Sequence, residues 1–121
     1  MIAVIVRGVL MILVPVVVYL VVSAAATGRL PRNRWVGLRT TASLSSETAW
    51  RAGHRAAVPR LRWSVVAGVA GGAVVFGNLL LADNDSAGLL PLGLLIMMLV
   101  TIFQAAARGI RAAELVASVQ R

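Results

Sequence analysis

The chain has 121 residues, 60% of them hydrophobic and only 13% charged, with a mean hydropathy of +0.89 and no cysteine. These values exclude a disulfide-stapled secreted scaffold, a disordered tail and an ordinary water-soluble domain. All twelve basic residues are arginine, and only Glu47, Asp83, Asp85 and Glu114 oppose them in the net +8. The distribution of that charge therefore decides between a nucleic-acid surface and a membrane protein.

Three stretches, 8–28, 63–82 and 86–107, contain no charged residue. Each approaches or exceeds the 20 or so helical residues that cross a hydrocarbon core. Three such runs are too few for a closed barrel, so each is predicted to be a helix. The fold class expected is an all-α membrane protein. It has three transmembrane helices plus a short amphipathic interfacial helix, all within one domain, 1–121. The arginines set the orientation. Segment 28–62 holds eight of them against Glu47, and the tail 108–121 nets +2. Both are expected in the cytoplasm of a bacterium, with the amino terminus outside the inner membrane. Arg7 alone opposes that topology. Exclusive use of arginine beside abundant alanine and valine fits a GC-rich, actinobacterial genome.

In chain order, Pro15 is expected to bend the first span, because proline removes a donor and crowds the preceding turn. Segment 28–42 mixes Gly, Pro, Asn and Arg and reads as a loop. Ser45 is expected to cap a short helix reaching about Val58, with Glu47 in its first turn. On it Trp50, His54 and Ala57 or Val58 share one face while Glu47, Arg51 and Arg55 form another. Such a helix is predicted to rest at the acyl boundary, its arginines meeting anionic lipid headgroups. Pro59 is placed near the start of the second span. Trp35, Trp50 and Trp63 are read as membrane-interface markers.

In the second span, Ser64, Gly68, Gly72, Ala73 and Gly77 form a small-residue strip expected to dock another helix, from this chain or from a partner. Asn78, Thr101 and Gln104 are expected to hydrogen-bond between helices. Asp83-Asn84-Asp85 reads as a solvated outer turn and not as a cation site. No catalytic residues, cofactor or metal are expected: one histidine, no cysteine and no phosphate-binding loop leave little to work with. A minimal lipid enzyme would need Arg39, Glu47 and His54 to converge on a headgroup. A nucleic-acid partner is not expected, since the inward placement of positive loops accounts for the charge.

The loop sequence Gly28-Arg29-Leu30-Pro31-Arg32-Asn33-Arg34-Trp35-Val36-Gly37-Leu38-Arg39-Thr40, followed by Leu44-Ser45-Ser46-Glu47-Thr48-Ala49-Trp50 and His54-Arg55, resembles the SdpI family of small bacterial membrane proteins. The likeness covers about 28–57. Thr41 stands where the family often has proline, and the best-known members carry more helices. Most members have no assigned role, so the resemblance alone does not fix the function. Some members confer immunity against a membrane-active peptide toxin and relay that event by holding a cytoplasmic repressor at the membrane.

The motif residues Pro31, Arg32, Asn33, Gly37, Arg39, Thr40, Ser45, Glu47, Trp50 and His54 read as a structured connector. In it Asn33 bonds its own turn, Gly37 adopts a conformation closed to other residues, and Arg39 reaches a carbonyl, Glu47 or a phosphate. Two functions follow as expectations. The first is an accessory subunit docking laterally on a larger integral membrane complex, such as a multi-subunit lipid transporter. The alternative is an SdpI-like immunity or signal-transduction protein.

Overall fold

A computed structural model describes residues 1–81 and 89–121; the Asp83-Asn84-Asp85 turn lies outside the described residues. Three helices account for most of it: α1 (Ile2–Ala26), α2 (Glu47–Leu80) and α3 (Leu89–Val119). Each is long and apolar enough to cross a membrane.

The helix ends differ from the sequence expectation in ways that matter. α1 starts at Ile2 and runs through Arg7, whose side chain is exposed, and through Pro15. The expected interfacial helix exists, but it is the first part of α2, which continues through Pro59 into the span without a break. Proline leaves the carbonyl of Arg55 without its helical partner. Both residues are exposed, so water or headgroups can satisfy that carbonyl. The cap also moves by one residue. Ser46, not Ser45, accepts the Ala49 N–H at 3.0 Å, while the Ser45 hydroxyl turns back to the Ala42 carbonyl at 2.6 Å. Likewise α3 does not stop near Ala107 but carries the tail to Val119 as helix.

α2 is the central element, antiparallel to both neighbours, while α1 and α3 scarcely meet. Two close seams hold it there. Towards α1, Gly68 and Gly72 face Met11, Ile12, Pro15 and the carbonyls of Met11 and Gly8. Gly68 admits the α1 backbone so closely that an added Cβ would strike the Met11 carbonyl. Towards α3, Gly53 and Ala57 meet Ala105, Gly109 and Ala113, part of a buried row at spacing four that ends at Ala117. Inside lipid such small-residue seams hold helices by packing alone. Beyond it the same seam also removes apolar surface from water.

The expected docking strip is therefore divided. Ser64 is buried and bonds the Leu61 carbonyl at 2.7 Å, and Gly68 and Gly72 are occupied by α1. Ala73 is exposed, and Gly77 faces open space. Thr101 departs from the expected interhelical role: its hydroxyl bonds carbonyls of its own helix, Met98 at 2.8 Å and Met97 at 3.0 Å. Gln104 is exposed.

Candidate functional site: an arginine-rich loop locked onto a helix pair

The end of α1, the start of α2, the end of α3 and the 27–46 connection all lie at one end of the molecule. We refer to it as the basic end. The loop leaves α1 by a tight turn. Leu30 N–H reaches back to the Ala24 carbonyl at 3.0 Å, with Gly28 at φ +82° against the Arg51 guanidinium. Arg55 Nε donates to the Ala26 carbonyl at 3.1 Å, placing a cation at the negative end of the α1 dipole.

From there local bonds build the loop. Asn33 Oδ1 accepts the N–H groups of Trp35 and Val36, both at 2.9 Å, and its Nδ2 donates to the Pro31 carbonyl at 2.9 Å. All three bonds close a single Asx-type turn. Thr40 and Ser43 bond reciprocally, backbone N–H to hydroxyl, at 2.9 and 3.1 Å. The buried Ser43 hydroxyl also lies 2.6 Å from the Leu38 carbonyl. Arg32 Nη1 donates to the Leu44 carbonyl at 2.8 Å, and its backbone N–H to Glu47 Oε2 at 3.3 Å.

Trp50 and His54 then fasten the loop to α2. Both are fully buried, so the face they share does not rest on lipid as expected; the loop and the helix pair cover it. Trp35 and Trp63 remain 85% and 59% exposed, and only these two are available to a membrane interface. Trp50 Nε1 donates to the Leu30 carbonyl at 3.2 Å, and its ring lies 4.2 Å from that of His54. Leu38 N–H donates to His54 Nε2 at 3.0 Å. Nε2 is thus the unprotonated nitrogen, and Nδ1–H donates to the Trp50 carbonyl at 2.7 Å. Gly37 closes this contact at φ +99°; an added Cβ there would come within 2.6 Å of His54 Nε2.

The neutral imidazole is built into this joint. Burial lowers the His54 pKa, opposed in part by its bond to the Trp50 carbonyl. A second proton would abolish the acceptor that Leu38 N–H uses. Because the folded value lies below the ordinary histidine value of about 6.5, the unfolded chain takes up the proton first as pH falls. The stabilisation is complete above about 6.5 and declines as pH drops from there through the folded pKa. Detergent-solubilised protein titrated with SDS is expected to show a midpoint that falls between pH 7 and 5. The His54→Phe variant should show a flatter profile; equal slopes would remove His54 from this role.

Sequence reasoning passed over two residues of the joint. Leu38 inserts among Val22, Ala57, Leu61 and Ala105, and Ser43 is the hub of the Leu38–Thr40 turn. The signal for Leu38 was an apolar residue between Gly37 and Arg39 in a polar loop. For Ser43 it was the spacing of three from Thr40.

The arginines point away from the joint. Arg32, Arg34 and Arg39 line an open pocket of about 620 Å³ with Asn33, Thr41, Leu44 and Ser45. Arg39 Nη1 donates to the Arg34 carbonyl at 3.3 Å. Pro31 is exposed at the loop's edge. Glu47 pairs with Arg51 at 3.3 Å, an exposed pair worth little by itself. Arg39, Glu47 and His54 do not converge: each is bound to other partners, and His54 is sealed from solvent. Among the described residues no three His, Cys, Asp or Glu side chains come together as metal ligands.

A family model described as the SdpI/YfhL protein family matches residues 29–104, more than half of the chain. The chain belongs to this family. The match starts at the loop and runs through α2 into α3, ending before the Ala105, Gly109, Ala113 and Ala117 row. No match is found among curated proteins or among solved structures.

Proposed function

We propose that this SdpI/YfhL membrane protein acts by contact and not by chemistry. In this reading the basic end faces the cytoplasm of the bacterial inner membrane and holds an acidic partner there, in the manner of the family's immunity and signalling members. One observation carries the reading. The loop's backbone is fixed from inside by Trp50, His54 and Leu38, while the Arg32, Arg34 and Arg39 side chains face outward around an open pocket. A fixed backbone presenting planar, bidentate donors loses little conformational freedom on binding carboxylates or phosphates.

Deletion is expected to sensitise cells to a membrane-active peptide that they or their kin secrete. Wild-type protein should restore tolerance, whereas Arg34→Glu with Arg39→Glu, accumulating to the same level in the membrane, should not. Unchanged tolerance after deletion, or full rescue by the double variant, overturns the reading.

Lateral docking on a larger membrane complex, such as a multi-subunit lipid transporter, is the second reading. An outward Gly68–Gly72 strip no longer supports it, because α1 fills that strip. What favours it is Gly77, open and one turn from the exposed Ala73. Crosslinking to an integral membrane protein from position 77, with none from the loop, would favour this reading over the first.

A further inference from the structure

Because α1 and α3 meet α2 but scarcely each other, a wedge opens between them at the basic end. It is a cleft of about 300 Å³ with an almost wholly apolar lining. Its walls include Val18 and Val22 on α1 and Ile102 and Ala106 on α3. Leu61 of α2 forms part of the back, and Val36–Leu38 lie at the loop end.

The loop that closes this cleft is the same one that carries the arginines. Arg34 lies two residues before Val36, and Arg39 follows Leu38 directly. The Arg39 guanidinium bonds the Arg34 carbonyl, which ties the two flanks of the roof together. Arg34 and Arg39 line the neighbouring open pocket and not the cleft itself, so the double cation flanks the cleft's loop end. An apolar slot and a double cation at one membrane level are the complement of a single amphiphile.

We propose that this cleft is a binding site for one anionic phospholipid, with an acyl chain between α1 and α3 and its phosphate on Arg34 and Arg39. The almost wholly apolar lining suits a hydrocarbon chain. The charge argues for an anionic headgroup: the surrounding segment 28–62 has eight arginines against Glu47. The guanidinium fork matches phosphate oxygens in pairs. The headgroup sits on the outer face of the roof, and the acyl chain beneath it borders Leu38 while the Leu38 N–H keeps its bond to His54. The site shares Arg34 and Arg39 with the acidic-partner surface of the first reading, and the cleft-filling substitutions, which touch neither arginine, tell the two apart.

Native mass spectrometry of the full-length protein released from detergent micelles tests it, with phosphatidylglycerol, phosphatidylcholine of the same chains, or inorganic phosphate added. One phosphatidylglycerol per chain should be retained, about tenfold in preference to phosphatidylcholine. Ala106→Phe from the α3 wall and Val21→Phe from the α1 wall fill the cleft and should remove both lipids. Each variant is first checked for wild-type helicity, and either one that folds suffices. Arg34→Gln with Arg39→Gln should erase the preference for phosphatidylglycerol and keep the residual phosphatidylcholine binding. Competition by inorganic phosphate would make it a free-anion site. Lipid retained after either cleft-filling substitution, or equal retention of both lipids by the wild type, would also overturn the proposal.

Discussion

Trp50→Ala is expected to release the loop and to lower stability by about 3–5 kcal/mol, the range for removing a fully buried large aromatic side chain. The indole fills the space between α2 and the loop, stacks near His54 and donates to the Leu30 carbonyl. Its loss leaves a cavity, an unpaired carbonyl and an imidazole without its neighbour. The arginines supply the readout, because trypsin cuts after Arg32, Arg34 and Arg39 only where the backbone can leave its turn. Wild-type protein in mild detergent should be cut slowly there and the variant quickly, with the SDS unfolding midpoint falling in parallel. Trp50→Phe should lose mainly the hydrogen bond, about 1 kcal/mol. A loop as resistant in Trp50→Ala as in the wild type would show that the anchor lies elsewhere.

Gly68→Leu is expected to push α1 off α2. The added side chain meets the Met11 carbonyl and the Pro15 ring. Backbone and a proline ring cannot turn aside as a flexible side chain does, so the cost should reach the upper end of overpacking effects, about 3 kcal/mol. Gly77→Leu is the matched control, on the same helix with nothing within 4 Å of the new atom. It should change stability by no more than about 0.5 kcal/mol. SDS titration followed by circular dichroism separates the two. Equal effects would mean that the substitution acts through helix propensity and not through the α1 seam.

The spans were readable because an apolar run of this length without a single charge suits a bilayer and little else, and the loop because its Gly, Asn, Pro and Arg each carry a distinct local geometry. The joint was less readable. A face of Trp50, His54 and Ala57 fits a lipid boundary and a protein interior equally well, since both offer an apolar side and a polar edge. Only the fold of residues 28–44 back over that face decides between them. The extension of α3 past Ala107 was missed because Ala105, Gly109, Ala113 and Ala117 have little hydrophobic contrast. Their meaning lies in lacking bulk, which shows only when Gly53 and Ala57 stand opposite. Pro59 marks a helix start by local rules, and packing on both sides of it carries the helix through.

The arrangement around α2 bears on how the chain is made. Translation delivers α1 before α2 and α3, and among the described helices its substantial neighbour is α2, which follows a twenty-residue connection. Until that helix is threaded, α1 waits in the bilayer without the helix that later packs on it. A single charged residue among its twenty-five equips it for that interval, and the groove that later receives it is completed by its successor.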